Sequence, residues 1–460
     1  MAEFFENILV AQNTSIEEVF RRLNENKKGI VFVVDEARRA LGCLTDGDIR
    51  RQLLVRNDLS VAVSNFMNRD FVRATAATPR EHILKLLDNG IHIIPMLDGE
   101  GRIVQLCSRD DFHLGEGASV FARARAPARI SFGGGGSDLT HYFLEQGGMV
   151  ISATIALYAH ASLRLRADKA IRIYSHDFDR AVQADDLRAL ELDGELDLIK
   201  SVVRLIRPDF GFDLDISADF PVGSGLGGSA SIAVAIIGCF NELRARPWTR
   251  HQIAEIAFQA ERLILNIPGG WQDQYAAAFG GFNYMEFSAD ENLVVPLRLE
   301  CQTMRELEAS ILLCHTGRSH DSGAIHSDQK MRTQQSPDVQ AAILRQKEMT
   351  VEMKKRLLRG DVFGYGRMLN EAWLNKRQMS SLISDDRLDA VYRAAIAAGA
   401  LGGKILGAGG GGYFLFFVPP FERAHVAKAL EKLGYANARI QFDEDGLTSW
   451  KTREPEGITT

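Results

Sequence analysis

A glycine- and serine-rich run in the middle of the chain has the composition of a phosphate-binding loop. Residues 221–231 read PVGSGLGGSAS, follow the alternating segment Phe212–Ala218 and precede an apolar run at 232–240. A strand, a glycine-rich turn and a helix start present unpaired backbone N–H groups and the positive end of a helix dipole to an anion. Serine hydroxyls in such a turn can bind phosphate or reach Mg²⁺. The run predicts a phosphate site, although glycine-rich turns also serve as plain connections.

Three other motifs contain the residue types that phosphoryl transfer requires. Residues 123–138 read RARAPARISFGGGGSD, residues 269–274 read GGWQDQ after an acidic Glu261, and residues 404–413 read KILGAGGGGY. Phosphoryl transfer depends mainly on positioning and on neutralising charge, so cations, carboxylates and backbone N–H groups are expected. The glycine run itself is neither a Walker A loop nor a Rossmann fingerprint.

Together, these motifs resemble those of the GHMP small-molecule kinases, a family that includes galactokinase, homoserine kinase and mevalonate kinase. The resemblance covers about residues 123–455 and implies an ATP- and Mg²⁺-dependent kinase. It is strongest to the branch that phosphorylates D-glycero-D-manno-heptose 7-phosphate at its anomeric oxygen, for nucleotide-activated heptose and surface glycans. The segments that carry this branch resemblance are 129–138, 272–283, 315–319 and 398–404.

The resemblance assigns catalytic and metal-binding roles to four side chains. Asp273 matches the aspartate that accepts or orients the proton of the attacking hydroxyl, and Arg129 matches the basic residue beside it. Glu261 and Ser229 match the pair that holds one Mg²⁺ ion with retained waters. The alternatives are that Asp273 caps the following helix and that Glu261 faces solvent.

The resemblance also assigns residues to the nucleotide and to the sugar. For the phosphates of ATP it indicates Pro221, Gly223, Ser224, Gly225, Leu226, Gly227, Gly228, Ser229 and Ala230. For the sugar it indicates Gly136, Ser137, Asp138, Gly409 and Gly410, with Arg318 or Lys404 as candidates for a distal phosphate. Galactokinase has Glu-His-Thr-Asp where residues 135–138 read GGSD. The smaller side chains would leave more room near the sugar.

The segments between these motifs predict an α+β fold. Residues 147–158 and 160–166 alternate like two neighbouring strands. Residues 249–264, with Thr249 as the cap, and residues 338–358 and 386–399 have helical periodicity. The resemblance implies a two-lobed GHMP kinase fold, with lobes at 123–300 and 301–455 and the cleft between them.

Residues 1 to about 115 repeat themselves at an offset of 63 residues. Residues 15–18 align with 78–81, and both read as capping boxes, led by Ser15 and Thr78. Two short apolar strands follow in each copy. This order is similar to a tandem CBS domain pair, a small α/β module, and a linker is expected at 116–122.

The CBS resemblance implies a regulatory adenosine nucleotide, held by Thr45 with Asp48 and by Ser108 with Asp111. The same pairs at this spacing also cap helices, and many such modules mainly build a homodimer. Gln105 stands where the first copy has Gly42, which would crowd the second cleft. Nucleotide sensing and dimer formation both stay open.

Bulk properties are those of an ordinary globular protein. The 460 residues are 46% hydrophobic and 25% charged, with a net charge of −6 and no strongly basic segment, which argues against nucleic-acid binding. The five cysteines are scattered, as expected for reduced thiols. No apolar run approaches the ~18 residues of a membrane span. We expect a cytoplasmic protein with no membrane partner.

Two other functions stay open beside a heptose 7-phosphate kinase. The first is a GHMP kinase of a free sugar, fucose- or galactose-like, which needs no distal phosphate. The second is a nucleotide-sensing regulatory protein whose kinase fold has lapsed. The presence of Ser229, Glu261 and Asp273 argues against the second alternative.

Overall fold

The computed structural model describes residues 8–54, 58–75, 77–109, 120–317 and 322–453. The chain forms two compact units that divide between residues 118 and 119. Residues 116–119 of the expected linker lie outside the described residues.

In the described part of the N-terminal unit, each sequence repeat forms a three-stranded sheet, with strand orders β1-β2-β3 and β4-β5-β6. The strands are β1 Leu9–Ala11, β2 Ile30–Val34, β3 Ala40–Thr45, β4 Ala74–Thr75, β5 Ile93–Leu97 and β6 Ile103–Ser108, and the helices are Ile16–Asn26, Asp46–Leu53 and Arg80–Asp88.

The two sheets repeat each other residue by residue. In the first, Ile30 pairs with Thr45, and in the second Ile93 pairs with Ser108, 63 residues later in both strands. Both ladders contain an irregularity at equivalent places, between residues 33 and 34 and between residues 96 and 97. A shared core of side chains from both repeats, including Phe32 and Ile93, joins the two sheets. The duplicated module is therefore confirmed.

Only the first of the two predicted capping boxes provides a side-chain cap. The Ser15 hydroxyl accepts a hydrogen bond from the N–H of Glu18 at 3.3 Å. The prediction for Thr78 is wrong, because its hydroxyl accepts from the N–H of Thr75 at 2.9 Å and Pro79 occupies the cap position. A proline there fixes φ and starts the helix without a side-chain acceptor.

The described residues of the C-terminal unit form two sheets. In the larger sheet the order is β10-β9-β11-β8-β12-β13, with β7 and β18 also paired to β8 and β19 paired to β7; the smaller has the order β15-β16-β14-β17. The strands are β7 Val120–Gly133, β8 Gly148–Leu165, β9 Ile171–Ser175, β10 Arg180–Ala184, β11 Phe212–Ala218, β12 Phe282–Phe287, β13 Asn292–Pro296, β14 Ile311–His315, β15 Gly402–Ile405, β16 Tyr413–Phe417, β17 Asn437–Ala438, β18 Phe442–Asp443 and β19 Thr448–Arg453.

Helices of the C-terminal unit pack against both sheets and bury two apolar cores. Their bounds are Thr140–Gln146, Asp197–Ile206, Gly228–Asn241, Arg250–Phe258, Gln272–Phe279, Cys301–Ser310, Ser322–Gln335, Pro337–Leu358, Val362–Lys376, Asp386–Ala397 and Arg423–Lys432. Thr249 caps its helix with a reciprocal capping box, which confirms that prediction. The chain then continues into a π-helical turn at Gln259–Ile264.

The prediction of two neighbouring strands before residue 166 is wrong. Residues Gly148–Leu165 form one continuous strand, β8, which pairs with β7 along most of its length. The change of pattern near Tyr158 comes from a register shift opposite Pro127 and Ala128 rather than from a turn. A bulge of this kind shifts which side chains face the core, so a continuous strand reads as two.

A search of the described helices finds none with the length and apolar content that crossing a bilayer requires.

Candidate active site

The glycine motifs of the C-terminal unit meet around one large cavity of about 1000 Å³. Its wall includes residues from β7, from the loop before helix Gly228–Asn241, from the π-helical turn and from β15. A cavity of this size can enclose a nucleotide together with a small second substrate.

The loop at 223–228 lies at the start of a buried helix. Gly227 occupies the N-cap position of helix Gly228–Asn241 with φ +75°, a conformation that favours glycine. Gly225 is also left-handed, and a Cβ there would lie 2.8 Å from the carbonyl oxygen of Leu406. The loop is therefore held in close backbone contact with the strand end before the third glycine motif.

Most residues predicted for the ATP phosphates lie on the cavity wall. Those that line it are Gly223, Ser224, Gly225, Gly227, Gly228 and Ser229. Leu226 and Ala230 are instead buried in the protein interior. Pro221 is exposed, one residue before the stretch that lines the cavity.

Arg129 and Asp273 form a bidentate ion pair at this wall. Arg129 Nε and Nη2 donate to the two carboxylate oxygens of Asp273, both at 2.8 Å. Arg129 Nη1 donates to the carbonyl oxygen of Gly225 at 2.5 Å. Arg129 is 3% exposed, whereas the side chain of Asp273 keeps 18% of its surface accessible. Asp273 is thus held by a cation, faces the cavity and is not engaged as a helix cap.

Glu261 is buried beside Ser229, and the solvent-facing alternative is therefore wrong. The Ser229 hydroxyl donates to Glu261 Oε1 at 2.6 Å, and Gln274 Nε2 donates to Oε2 at 2.8 Å. Arg262 lies 3.2 Å from the same carboxylate. Glu261 belongs to the π-helical turn, and such turns redirect side chains towards functional sites.

This pair fits a magnesium ion. A hydroxyl and a carboxylate are oxygen ligands, and Mg²⁺ is usually held by one or two protein ligands with water and substrate phosphates completing an octahedron. Adjacent ligands of such an octahedron lie about 3 Å apart, close to the 2.6 Å between Ser229 Oγ and Glu261 Oε1. No cluster of three or more His, Cys, Asp or Glu side chains suited to a metal occurs among the described residues.

Asp138 also lines the cavity and is 2% exposed. It accepts hydrogen bonds from Gln272 Nε2 at 3.1 Å and from the N–H of Gly136 at 3.1 Å. Burial, and then the negative charge of Asp273, raise the pKa of Asp138. The sequence interpretation did not single out Gln272, whose Oε1 has no hydrogen-bond partner among the described residues.

Not all predicted sugar-binding residues reach the cavity. Gly136 lines it, but Ser137 is fully buried, and its hydroxyl bonds the backbone of Gly134 and Met149. Gly409 and Gly410 pack against Ile383, and their neighbours Gly407 and Ala408 line the cavity instead. Arg318 lies outside the described residues.

Several polar residues that the sequence interpretation missed also line the cavity, among them His326, Gln329 and Lys376. Burial lowers the pKa of His326 to about 4. His326 Nδ1 and Gln329 Oε1 have no hydrogen-bond partner among the described residues. These residues come from helices outside the glycine motifs, so no local sequence signal marks them.

Lys404 also lines the cavity and is 2% exposed. Its Nζ donates to the carbonyl oxygen of Ser131 at 2.9 Å. Burial, and then the positive charges of Lys376 and Arg129, lower its pKa well below the usual value.

In the N-terminal unit, the predicted nucleotide pair forms a helix cap. Thr45 Oγ1 donates to Asp48 Oδ2 at 2.7 Å, and the N–H of Asp48 points back to Thr45 Oγ1 at 3.3 Å. Arg51 also contacts this carboxylate. Ser108 ends β6, and Asp111 lies outside the described residues. Thr45 and Asp48 therefore form the helix cap that was the alternative interpretation. Nucleotide binding by the module stays a prediction.

Comparison with known proteins identifies the class. The family profile described as GHMP kinases N terminal domain matches residues 197–281, and that described as GHMP kinases C terminal matches residues 353–436. The CBS domain profile matches twice, at residues 6–55 and 63–113. The chain belongs to the GHMP kinase family, in which ATP is the phosphoryl donor, and has a CBS pair at its N-terminus.

The similarity to individual relatives extends over nearly the whole length of each relative. D-glycero-alpha-D-manno-heptose 7-phosphate kinase of Campylobacter jejuni is 37% identical over 338 residues, covering 72% of this chain and 98% of the relative. Mevalonate kinase of Pyrococcus furiosus is 27% identical over 348 residues, covering 70% of this chain and 97% of the relative.

A solved structure described as a D-glycero-D-manno-heptose 1-phosphate kinase from Bacteroides thetaiotaomicron is 34% identical, with a TM-score of 0.61, covering 72% of this chain and 98% of the other. The predicted α+β fold, a two-lobed GHMP kinase preceded by a CBS module, is therefore confirmed.

Proposed function

We propose that this kinase transfers the γ-phosphoryl group of ATP to the anomeric hydroxyl of D-glycero-D-manno-heptose 7-phosphate. The observation that carries the reaction is the Arg129–Asp273 ion pair, which faces the cavity beside the glycine loop. The choice of sugar is supported by the similarity to the Campylobacter jejuni enzyme.

In the proposed mechanism, Asp273 accepts the proton of the anomeric hydroxyl as its oxygen attacks the γ-phosphorus. The new O–P bond forms while the bond to the bridging oxygen breaks, and its electron pair stays on the β-phosphate of ADP. Arg129 orients Asp273 through both carboxylate oxygens. Backbone N–H groups of the loop at 223–228 position the phosphates.

Ser229 and Glu261 would hold Mg²⁺, which neutralises phosphate charge when bound. Gln274 and Arg262 orient the Glu261 carboxylate by contacting its oxygens. Arg262 is itself in contact with the backbone carbonyl of Ile267 at 3.3 Å. This arrangement keeps one carboxylate edge directed at Ser229.

Asp138 and Gln272 would bind the sugar hydroxyls. Their mutual hydrogen bond fixes the Asp138 carboxylate, and Gln272 Oε1, to which no group in the described ranges donates, remains as an acceptor. A buried polar atom without a partner is unfavourable, so a polyhydroxylated ligand that supplies donors gains affinity here.

The proposal also covers the lobe boundaries, the location of the enzyme, the use of its product and the role of the CBS module. The lobes are placed at 123–300 and 301–455, and the enzyme is placed in the cytoplasm, with a product that feeds nucleotide-activated heptose. The N-terminal CBS pair is proposed to build a homodimer or to bind an adenine nucleotide.

ADP release by the full-length protein tests the substrate. The acceptors are heptose 7-phosphate, heptose 1-phosphate, mannose 6-phosphate, galactose and fucose, because the names of the two heptose relatives place the phosphate differently. We expect turnover with the heptose 7-phosphate and a product phosphorylated at both ends. Turnover with a free sugar or with the 1-phosphate would replace the proposed acceptor, and ATP binding without any turnover would favour the regulatory alternative.

A further inference from the structure

Lys376 is a buried lysine on the cavity wall that belongs to none of the sequence motifs. It is the last residue of helix Val362–Lys376 and is 4% exposed. Its Nζ donates to the carbonyl oxygen of Gly407 at 2.5 Å, and no carboxylate of the described chain lies within ion-pair distance of it. A buried ammonium with one neutral acceptor is unfavourable and keeps two N–H groups for a ligand.

The contacts of Gly407 place this ammonium beside the phosphate-binding loop. A Cβ on Gly407 would lie 2.9 Å from the Cα of Gly225, so the two backbones touch. Gly225 also accepts the hydrogen bond from Arg129 Nη1. Lys376 and Arg129 therefore both donate to the backbone at the place where the two glycine loops meet.

The charged side chains around Lys376 are those of the transfer site. Burial, and then the positive charge of Arg129, lower the pKa of Lys376 to about 8, and Asp138 opposes this effect. Lys404 on β15 and His326 on helix Ser322–Gln335 also interact electrostatically with it. The ammonium is thus coupled electrostatically both to Asp138, which is proposed for the sugar, and to Arg129 beside the phosphate loop.

We propose that Lys376 is a further catalytic residue whose ammonium donates to the non-bridging oxygens of the γ-phosphoryl group during transfer. The proposal rests on phosphoryl transfer from ATP and not on the identity of the sugar. Arg129 is already held by Asp273 and Gly225, whereas Lys376 has donors left for the phosphate. Phosphoryl transfer spreads charge over three oxygens, and one preorganised donor to such charge is worth about 10²–10³ in rate.

The test compares ATP with ADP, which differ only in the γ-phosphate. In full-length protein, Lys376→Met is expected to lower kcat by about 100-fold. It should also weaken ATP binding at least about tenfold, the loss expected of one charge-assisted hydrogen bond, while the Kd for ADP stays unchanged by calorimetry. Lys376→Arg, which keeps the charge, should recover part of the ATP preference.

Lys347→Met is the matched control. Lys347 is half-buried and donates to the carbonyl oxygen of Gln146, away from the cavity. We expect its kinetic constants and both nucleotide affinities to equal those of the wild type. Thermal unfolding and circular dichroism check that each variant keeps its fold.

Three outcomes would overturn the proposal. They are an unchanged kcat in Lys376→Met, an equal loss of ATP and ADP affinity, and a loss confined to acceptors that carry a distal phosphate. The last result would mean that Lys376 binds the phosphate of the sugar. The nucleotide comparison uses no acceptor, so it remains decisive if the wild type prefers a free sugar and the proposed substrate fails.

Discussion

The Arg129–Asp273 pair combines a positioning contact with the proposed proton acceptor, Asp273. Its two parallel hydrogen bonds, both 2.8 Å, fix the orientation of the Asp273 carboxylate. Asp273→Asn keeps the size of the side chain but removes its ability to accept a proton. We expect kcat to fall by about 10²–10⁴, measured by ADP release with saturating substrates.

Asp213→Asn is the control for this prediction. Asp213 also pairs with two arginines, Arg164 and Arg166, but lies outside the large cavity. Its kcat should stay near the wild-type value. Wild-type turnover in Asp273→Asn would mean that another group, or water, accepts the proton.

A second prediction at this scale concerns stability and follows from the buried ammonium of Lys376. Its pKa is about 8 in the folded protein and about 10.4 in an unfolded chain. Between these values the unfolded state binds more protons, so the free energy of unfolding rises with pH. Lys376→Met should lack this rise and be more stable than the wild type by about 1–3 kcal/mol at pH 7, where the ammonium is charged.

Denaturant unfolding at pH 7, 8 and 9 measures this difference. Arg129, Asp138, Lys404 and His326 are the charged or titratable groups that face Lys376. They remain in both proteins, so the comparison isolates Lys376. Lys200→Met, which removes a buried lysine with an ion pair to Asp193, should give no gain. A loss of stability in Lys376→Met at pH 7 would show that its ammonium is well solvated.

At the scale of elements, the π-helical turn Gln259–Ile264 determines where Glu261, the proposed metal ligand, lies. It turns Glu261 into the interior, where Ser229 and Gln274 contact its two oxygens. Glu261→Gln removes the negative charge but retains the shape. We expect the Mg²⁺ concentration for half-maximal activity to rise at least about tenfold, measured by Mg²⁺ titration at fixed ATP.

The matched control is Glu255→Gln, on the preceding helix Arg250–Phe258. Glu255 is exposed and does not line the cavity. Its Mg²⁺ titration should superimpose on that of the wild type. If the Mg²⁺ titration of Glu261→Gln also superimposed on that of the wild type, Glu261 would not be a metal ligand. Other residues would then have to bind the metal.

Elements with a local signal could be predicted from the sequence, whereas those set by distant contacts could not. Thr249 with Gln252 predicts a helix start because both capping partners are close in sequence. Near Tyr158, β8 has two residues without a partner on β7, at the register shift opposite Pro127 and Ala128, and the π-helical turn Gln259–Ile264 follows directly on helix Arg250–Phe258. Neither effect has a marker in the segment itself.

The candidate site divides in the same way. Motif residues such as Asp273, Glu261 and Asp138 were predicted, and the structure brings them to one cavity. Lys376 and Gln329 lie on helices without a motif, and only the fold brings them there. Ser137 was chosen by its place in a motif, but its hydroxyl is used inside the turn. A motif therefore indicates which segment approaches the ligand, and backbone geometry decides which side chain reaches it.

At the scale of the whole molecule, each compact unit has cores of its own. The C-terminal unit buries two clusters of apolar side chains, and the N-terminal module joins its repeats through another. We therefore expect a fragment that starts at Val120 to fold and to keep the kcat and both KM values of the full-length kinase. Steady-state kinetics and thermal unfolding of the fragment and of the full-length protein test this expectation.

The same pair of proteins separates the two roles proposed for the CBS module. If the module builds a dimer, light scattering should find twice the subunit mass for the full chain and a single subunit for the fragment. If it senses nucleotide, AMP should change the kinetics of the full chain alone, and Asp48→Asn should abolish that response. Asp48 is engaged by Thr45 and Arg51, so a nucleotide must displace or extend these contacts to bind. Loss of kinase activity in a folded fragment, with neither effect, would instead mean that the module stabilises the active conformation of the kinase.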